Sequence, residues 1–258
     1  MRKPKAVVDQ RRAELAEWIK QKRFLSVQAV CEKYNISEAT ARRDLRELES
    51  QKAIVRTFGG ATGDFDQTFQ SFAARMDKGS DKKKMIAAAA GSSVSDEQII
   101  FLDGGSTLFY LACELAKREW KALTIVTNNL AAAEALSQQE GIQVVLTGGR
   151  FLGRQSVLIG PSVLHSLNQY AFHQSFLSAQ AVSNDGVWNT GTEIVEVQKK
   201  IQASSERSHL LFHQDKWKAS GDTFLCLPSD FDTFFTDVPV RKLGVIRHLP
   251  NAPEITTI

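Results

Sequence analysis

The sequence predicts an α/β protein with a small, mainly helical N-terminal domain and a larger domain built around a mostly parallel sheet. Two features indicate this fold class. Short amphipathic helices separated by a tight turn, followed by a Gly-Gly hairpin, occupy the first 63 residues. From residue 85 onward, apolar runs of strand length alternate with helical stretches, which is typical of a parallel sheet covered on both faces. The 258 residues, 43% of them apolar, suffice for one large core or two modest ones.

The first domain is predicted over residues 8–63 and begins with two helices. Residues 9–20 carry apolar side chains at helical spacing with charges between them, which predicts an amphipathic helix. Ser26 is placed to cap a second helix, and Asn35 ends it because asparagine tolerates the left-handed conformation of a tight turn. Together with the next helix, residues 25–44 have the spacing of a helix-turn-helix.

The third helix carries the basic surface of this domain. Ser37 is its expected N-cap, with Thr40 in the first turn. Ala41, Leu45 and Leu48 recur at i, i+4 and i+7 and form the buried stripe. The exposed arc is left to Glu38, Arg42, Arg43 and Arg46. A second helix with a basic outer face is the one that enters a DNA major groove.

A short β-prone run, "AIVRTFGGAT", follows the third helix and contains Gly59-Gly60. It predicts a hairpin that completes a winged helix-turn-helix and places Arg56 near phosphate or the minor groove. Residues 1–56 hold fourteen Lys and Arg against eight Asp and Glu, whereas the remainder holds eighteen against twenty-one. This asymmetry indicates a polyanionic partner, and we interpret it as double-stranded DNA.

The same arginines allow a second interpretation. Glu38–Arg42 and Arg43–Glu47 are spaced as i,i+4 ion pairs, which would stabilise a merely solvated helix face. The combination of helix, turn, helix and basic hairpin favours DNA binding over this alternative.

The segments "ISEATARRDL" and "VRTFGGA" resemble the DNA-binding domain of DeoR/GlpR-type bacterial transcription regulators. Ile36 and Ala41 stand where the family has Val and Ile. The matching residues are Ser37, Thr40, Arg42, Arg43, Asp44, Leu45, Leu48, Arg56, Gly59, Gly60 and Ala61. The resemblance implies DNA contacts from Thr40, Arg42 and Arg43, a cap at Ser37, and a local arginine partner for Asp44. The DNA-binding residues predicted in total are Ser37, Thr40, Arg42, Arg43, Arg46 and Arg56.

A linker over residues 64–81 is predicted from its Gly, Asp, Ser and Lys content. It also resembles the family's linker, and the residues that fit are Phe72, Arg75, Lys83, Ile86 and Ala87. Taken alone, the run Lys82–Lys84 is interpreted as a solvated helix start.

The second domain, residues 82–258, is expected to be Rossmann-like and to serve effector sensing and oligomerisation. Its strand candidates are "QIIFLDGG", "LTIVTNN", "IQVVLTGG", "AFHQSFLSA", "SHLLFHQ", "DTFFTD" and "LGVIRHL".

Three of these strands are followed by small polar loops, residues 103–107, 127–129 and 147–150. Ligands of such sheets bind beyond the carboxyl ends of the strands. Glycines allow close backbone approach, hydroxyls donate hydrogen bonds, and the helix after Ser106 directs its positive N-terminus toward the site. The loops therefore predict an anion site, and the anion we expect there is phosphate. Ordinary strand-to-helix turns favour the same residue types and are the alternative.

DeoR-type C-terminal domains are similar to sugar-phosphate isomerases and sense phosphorylated sugars or related metabolites, which is what the resemblance implies for this chain. The effector-binding residues it implies are Asp103, Gly105, Ser106, Thr107, Asn128, Gly148, Gly149 and Lys216. Three positions depart from the family pattern: Gln180, Gln198 and His213. They leave open whether ligand binding is lost or directed to another metabolite.

Several protein classes are excluded by the sequence. Cys31, Cys113 and Cys226 are scattered, which indicates a reducing compartment and neither a disulfide framework nor a zinc site. The charged start lacks the apolar region of a signal peptide, and no apolar run has membrane-spanning length, so a cytoplasmic protein is expected. "GGRFLGRQS" has Arg154-Gln155 where a P-loop needs Lys-Ser/Thr, and no cofactor is expected.

These observations predict a non-enzymatic transcriptional repressor of carbohydrate-metabolism genes, homo-oligomeric and controlled by a phosphorylated metabolite. A DNA-binding protein whose second domain serves oligomerisation alone is one alternative. The other is an isomerase- or transferase-type enzyme. Its acid/base candidates would be Asp103, Asp185, Glu193, His213 and Lys216, although their spacing does not force two carboxylates together.

Overall fold

The computed structural model of the chain describes residues 5–22, 24–51, 53–57, 60–63, 72–219 and 221–258. The chain divides into two compact units, Met1–Gln70 and Ser71–Ile258. We call them the N-terminal and C-terminal units and describe each by itself.

The N-terminal unit packs three helices against a small antiparallel sheet. The helices are α1 (Lys5–Lys22), α2 (Val27–Tyr34) and α3 (Glu38–Ser50). The strands are β1 (Phe24–Ser26), β2 (Ile54–Thr57) and β3 (Gly60–Gly63), in the order β1-β3-β2. The predicted hairpin is thus β2–β3, and β1 is a third strand that was not expected. The side chain of Arg56 and residue Gly59 lie outside the described residues.

Local hydrogen bonds fix the turn between α2 and α3. Ser26 Oγ accepts from the Ala29 N–H at 3.1 Å and starts α2. Asn35 ends it with a φ of 48°, and Ser37 Oγ accepts from the Thr40 N–H at 3.3 Å to start α3. The predicted caps and turn are confirmed at all three positions, because these interactions depend on the residues of the turn itself.

Removing the cap of α3 gives a first prediction. Ser37→Ala is expected to destabilise α3 by about 1 kcal/mol, because the Thr40 N–H loses its acceptor. Hydrogen exchange of the α3 amides in the full-length chain measures this. Ser50→Ala in the last turn is the matched control and should change protection by a few tenths of a kcal/mol at most. Equal effects of the two variants would contradict the assigned cap.

The C-terminal unit is built around a seven-stranded, entirely parallel sheet. Its strands are β4 (Ile99–Leu102), β5 (Leu123–Thr127), β6 (Ile142–Leu146), β9 (Phe172–Ser178), β12 (Ser205–Phe212), β14 (Thr233–Thr236) and β15 (Glu254–Thr257). They lie in the order β15-β14-β12-β9-β4-β5-β6. The helices are α4 (Phe72–Asp77), α5 (Ser80–Gly91), α6 (Ser106–Leu115), α7 (Leu130–Leu136), α8 (Pro161–Leu167) and α9 (Thr192–Ala203). The predicted α/β architecture is confirmed.

Two smaller antiparallel arrangements accompany the main sheet. One is the hairpin β7 (Arg150–Leu152) and β8 (Val157–Ile159). The other is a three-stranded sheet of β10 (Ala181–Ser183), β11 (Gly186–Asn189) and β13 (Thr223–Cys226). The described residues of this unit also form four 3-10 helices: Gln214–Lys216, Pro228–Asp230, Val240–Leu243 and Ile246–His248.

Both faces of the parallel sheet are covered by apolar clusters. Along β4, Phe101 belongs to one cluster, whereas Ile100 and Leu102 belong to the other. Successive side chains of a strand point to opposite faces, so each face has its own buried layer. This explains why the strands appear in the sequence as continuous apolar runs.

One strand prediction for the C-terminal unit is wrong. "LGVIRHL" (243–249) forms 3-10 turns, because Leu243 and Ile246 are buried at a spacing of three residues. The seventh strand is instead β15, a short edge strand. Of the predicted linker, residues 64–71 lie outside the described residues, 72–77 are helical, and α5 begins at residue 80.

The strand order reverses between β4 and β9. From β4 the chain adds β5 and β6 on one side, then returns to place β9, β12, β14 and β15 on the other. In open α/β sheets such a switch point leaves a crevice outside the carboxyl ends of the strands, where ligands bind. Here the switch point falls between Asp103 after β4 and the end of β9 at Ser178, whose N–H donates to the Asp103 carboxyl group.

Candidate functional site

The exposed face of α3 presents unpaired positive charge. Arg42, Arg43 and Arg46 are all exposed. Arg42 Nη2 forms an ion pair with Glu38 Oε1 at 2.5 Å. This is one of the two i,i+4 pairs that the alternative to DNA binding, a merely solvated helix face, predicted. Within the described residues, Arg43 and Arg46 form neither a hydrogen bond nor an ion pair, so the expected Arg43–Glu47 pair is absent there. Their guanidinium groups are therefore available to an anionic partner.

Asp44 holds α3 onto α1. Its side chain is buried and accepts from Arg11 Nη2 at 2.6 Å and from Arg12 Nε at 2.9 Å. The resemblance implied a local arginine as the partner of Asp44; the actual partners lie 33 and 32 residues away. Arg11 and Arg12, which the sequence analysis did not single out, therefore fix the orientation of the basic helix.

At the switch point of the C-terminal unit, Asp103 is the centre of a buried polar network. Its Oδ2 accepts from Gln198 Nε2 at 2.6 Å and from the Ser178 N–H at 3.3 Å. Gln198 in turn accepts from Asn189 Nδ2 at 3.1 Å. The Asn128 side chain also hydrogen-bonds to this carboxyl group, and this bond stabilises the ionised form of Asp103. Residues from β9, β11, α9 and the loops after β4 and β5 thus converge here.

Burial raises the pKa of Asp103 to about 6, against the opposing effect of the hydrogen bonds from Gln198, Gly104 and Ser178. The hydrogen-bond donors are neutral, so they offset only part of the desolvation of the carboxylate. Asp103 therefore gains its proton in mildly acidic solution.

The N-terminus of α6 adjoins this network. Gly105 precedes the helix with a φ of 124°, and a Cβ there would lie 2.9 Å from Ser178 Oγ. No side chain caps the helix, and the hydroxyls of Ser106 and Thr107 have no hydrogen-bond partner among the residues that the structure describes. First-turn N–H groups and free hydroxyls are donors suited to an oxyanion.

The other two predicted loops, residues 127–129 and 147–150, follow β5 and β6 at the carboxyl edge of the parallel sheet. Asn129 Nδ2 donates to Gly105 O at 3.3 Å and joins the loops after β4 and β5. Gly148 and Gly149 are exposed with φ values of 70° and 113°, and a Cβ on Gly149 would lie 2.7 Å from Ile159 O. These two glycines shape the turn into the β7–β8 hairpin and are not hydrogen-bonded to Asp103.

A cluster of basic groups, which we call the basic cluster, lies beyond the ends of β12 and β9. Its members are Lys83, His213 and Lys216. Lys216 Nζ donates to Gln180 Oε1 at 2.7 Å, and Lys83 Nζ donates to Arg75 O. Lys83 is only 2% exposed. The sequence suggested Lys83 only as a match to the family's linker, and its burial was not predicted because the run Lys82–Lys84 was interpreted as a solvated helix start.

His213 is buried, and burial together with the nearby charges of Lys83 and Lys216 lowers its pKa to about 4. Its Nδ1 accepts from the Asp215 N–H at 3.4 Å. His213 is therefore neutral at neutral pH, which favours a hydrogen-bonded structural role over pH sensing.

Burial lowers the pKa of Lys83 to about 8 from its ordinary value of 10.5, and the charges of Arg75 and Lys78 add to this effect. Between these pH values the unfolded chain binds more protons than the native chain, so the contribution of Lys83 to stability rises with pH. Below pH 8, Lys83 is protonated in the native protein, and the burial of its ammonium group lowers the free energy of unfolding.

This linkage gives a second prediction. Lys83→Met is expected to raise the melting temperature at pH 7, and the gain should shrink as the pH rises from 8 to 10.5. Thermal unfolding of both proteins across this range measures it. Lys84→Met is the matched control, since Lys84 is exposed, and should show no such pH dependence. A Lys83→Met protein that is less stable at pH 7 would contradict the assigned environment.

In the described ranges, no group of three or more His, Cys, Asp or Glu side chains is arranged to hold a metal ion. The helices of the same ranges include none that is long and apolar enough to cross a membrane.

The sequence matches the DeoR-like helix-turn-helix domain over residues 11–65 and the DeoR C terminal sensor domain over residues 78–238. The chain belongs to the DeoR family. The resemblance noted from "ISEATARRDL" and "VRTFGGA" is thereby confirmed. As a DeoR-family protein, the chain is a DNA-binding transcriptional regulator, and α3 is the second helix of its helix-turn-helix.

Named relatives of this DeoR-family chain are regulators. It is 28% identical over 230 residues to the HTH-type transcriptional repressor GlcR of Bacillus subtilis (strain 168), covering 89% of this chain and 88% of the relative. It is 27% identical to the glycerol-3-phosphate regulon repressor of Escherichia coli (strain K12), covering 89% and 91%. Among solved structures, ribose 5-phosphate isomerase A from Methanocaldococcus jannaschii is 19% identical, with 54% of each chain covered and a TM-score of 0.40.

Proposed function

We propose that this DeoR-family regulator is a repressor of carbohydrate-metabolism genes whose operator affinity is controlled by a phosphorylated sugar. The single observation that carries the proposal is Lys83, a buried ammonium ion beside His213 and near Lys216, at the carboxyl edge of the parallel sheet. The names of the two relatives, both repressors and one of a glycerol-3-phosphate regulon, support it.

The basic cluster has the properties of a phosphate site. Lys83 is a desolvated cation that donates to the backbone carbonyl of Arg75, and a phosphate dianion would add to the negative charge that Asp215 supplies nearby. The free hydroxyls of Ser106 and Thr107 and the first-turn N–H groups of α6 add neutral donors. The predicted residues Gly105, Ser106, Thr107 and Lys216 take these roles in the proposal, and Lys83 joins them.

Control of DNA binding requires the ligand to prefer one of two states of the protein. A ligand shifts such an equilibrium by no more than its differential affinity for the two states. We propose a homo-oligomer that reads two operator half-sites through α3, with Arg42, Arg43, Arg46 and Arg56 facing the DNA and Ser37 and Thr40 shaping the start of the helix.

A thermal-shift screen tests the effector proposal directly. Phosphorylated sugars, their unphosphorylated counterparts and inorganic phosphate are compared on the full-length protein. Binding to the native state at 100 times the Kd stabilises by about 2.7 kcal/mol and raises the melting temperature. A shift by one phosphorylated sugar, absent with its unphosphorylated form, supports the proposal. No shift by any compound would favour a C-terminal unit that serves oligomerisation alone.

The role of Lys83 is tested with the variants already described. Lys83→Met should abolish the shift by the phosphorylated sugar although the variant itself melts higher at pH 7. Lys84→Met should respond as the wild type does. An unaltered response of Lys83→Met would exclude the basic cluster as the phosphate site. Incubation of the wild type with the same sugar and analysis of products tests the enzyme alternative, for which we expect no turnover.

A further inference from the structure

We propose that the outer edge of β6 is the surface through which the C-terminal units of two copies of this chain associate. The two β6 strands pair antiparallel about a twofold axis at Val144. This inference rests on the homo-oligomer proposed above and names its interface, whereas it does not depend on the effector.

The strand β6 is paired on one side only. In the part of the chain that the structure describes, its single neighbour in the sheet is β5. The Leu123 N–H donates to Gly141 O at 2.8 Å, and the Thr147 N–H donates to Thr127 O at 3.0 Å. Bonding residues alternate along a strand, so the odd-numbered residues of β6 face β5 and the even-numbered ones face the open edge.

The open edge presents backbone groups that the sheet does not use. The N–H and C=O groups of Val144 and Leu146 point outward, as does the C=O of Ile142. The N–H of Ile142 donates to Gln139 O at 3.4 Å within a turn. A row of outward donors and acceptors of this kind is a template for pairing with a further strand.

The two edges of the parallel sheet differ in how they are protected. The edge strand β15 is short, follows Pro253 and begins with the charged Glu254. Short strands, prolines and charges are the devices by which proteins prevent pairing at an exposed edge. The β6 sequence, "IQVVL", contains neither charge nor proline, and its Leu146 is 40% exposed. This edge therefore has the character of an interface.

The outward groups of β6 are complementary to those of a second β6. In the twofold register, Val144 lies opposite Val144 of the other copy, and Leu146 lies opposite Ile142. Residues directly opposite each other in an antiparallel pair exchange hydrogen bonds when both face the partner, and all three do. A shift by one residue would place outward-facing residues opposite residues that are bonded to β5. The interface is isologous and closes as a dimer.

The charges at the two ends of β6 favour the same direction of pairing. Glu140 precedes the strand, is exposed and forms no ion pair with the described residues; Arg150 follows it and is also exposed. Arg150 Nη2 donates to Glu193 at 2.6 Å, which leaves further N–H groups of its guanidinium for a second acceptor. Antiparallel pairing brings Glu140 of one copy toward Arg150 of the other, whereas parallel pairing would bring like charges together.

Apolar side chains around β6 add area to the contact. A specific interface buries at least about 1,200 Å², more than the pairing of two five-residue strands supplies. Leu130 begins α7, which packs on β6, and Phe151 lies in β7 shortly after β6. Both side chains are exposed in the single chain. In the dimer they supply apolar surface beyond the strands.

Sedimentation velocity of the full-length protein tests the proposal with two proline variants. Val144→Pro removes an N–H that faces the open edge and leaves the bonds to β5 in place. We expect at least tenfold weaker self-association. Thr257→Pro is the matched control at the opposite edge, because the Glu254 and Ile258 N–H groups donate toward β14 and Thr257 therefore faces outward. It should associate as the wild type does.

The outcomes separate this inference from the proposed function. Wild-type association of a folded Val144→Pro protein would overturn the β6 interface and leave the proposed homo-oligomer standing. A wild type that remains monomeric at micromolar concentration would overturn both, while the effector and DNA proposals would stand on their own tests.

Cysteine crosslinking tests the register and does not require the proline variant to fold. The Cα atoms of a hydrogen-bonded antiparallel pair are about 5.5 Å apart, a distance that a disulfide bridges. Val144→Cys should therefore form a covalent dimer under mild oxidation, at a yield well above that of the wild type with its native cysteines. Gln143→Cys lies opposite Val145 and should not crosslink alone, but should crosslink when mixed with Val145→Cys. Crosslinking of Gln143→Cys alone, or of no folded variant, would overturn the inference.

Discussion

Replacing Arg43 by alanine is expected to lower operator affinity by about 1–3 kcal/mol, which is roughly a fivefold to 150-fold loss. Arg43 is exposed on α3 and has no partner among the described residues. Its guanidinium group is therefore free to form a bidentate pair of hydrogen bonds to guanine or to phosphate. Fluorescence anisotropy measures the change, using an operator selected from a random duplex library. The wild-type and variant proteins are compared at one salt concentration, because phosphate contacts are salt-dependent.

Two comparisons make this result specific. Arg241→Ala removes one exposed positive charge from the C-terminal unit and should leave operator affinity unchanged. Arg42→Ala should have a smaller effect than Arg43→Ala, because Arg42 must break its ion pair with Glu38 before it contacts DNA. Wild-type affinity of a folded Arg43→Ala protein would exclude α3 as the reading helix.

Replacing Asp44 by alanine is expected to destabilise the N-terminal unit by about 3 kcal/mol, the effect of removing one partner from a buried ion pair. Arg11 and Arg12 would each lose their carboxylate while remaining mostly buried, with side chains 12% and 18% exposed. Hydrogen exchange of the α1 and α3 amides in the full-length chain measures the loss. Operator affinity should fall as well, because α3 would no longer be fixed against α1.

The control for this variant lies on the same helix. Glu47→Ala removes a partly exposed carboxylate that accepts from Gln51, and its effect should stay within about 0.5 kcal/mol. The single variants Arg11→Ala and Arg12→Ala should each cost less than Asp44→Ala, since Asp44 keeps one arginine in either of them. If Asp44→Ala and Glu47→Ala have equal effects, the buried ion pairs do not stabilise the unit.

The parts of the fold that depend on neighbouring residues could be predicted from the sequence. The caps at Ser26 and Ser37 and the left-handed Asn35 are examples, since their hydrogen bonds are made within one turn. Strands of the parallel sheet were also predictable, because burial on both faces requires continuous apolar runs. The edge strand β15 was missed since only Ile255 among its four residues is apolar.

The burial and the partners of three residues were not predicted, although the three residues share one signal. Lys83, Asp44 and Gln198 each lie in the apolar stripe of a helix: Lys83 precedes Ile86 and Ala90, for example, at spacings of three and seven. A polar side chain in such a stripe is buried and needs a partner. The sequence alone could not name these partners, because Arg11, Asp103 and the end of β12 are brought there by tertiary packing.

The position of β9 in the middle of the sheet has a consequence for synthesis of the protein. The ribosome completes β4, β5 and β6 well before β9, which pairs with β4 through Ile100–Leu102. Until then β4 exposes an unpaired edge and apolar faces, the features that promote aggregation of nascent chains. The speed at which ribosomes traverse residues 147–171 therefore sets how long this half-sheet needs protection by chaperones.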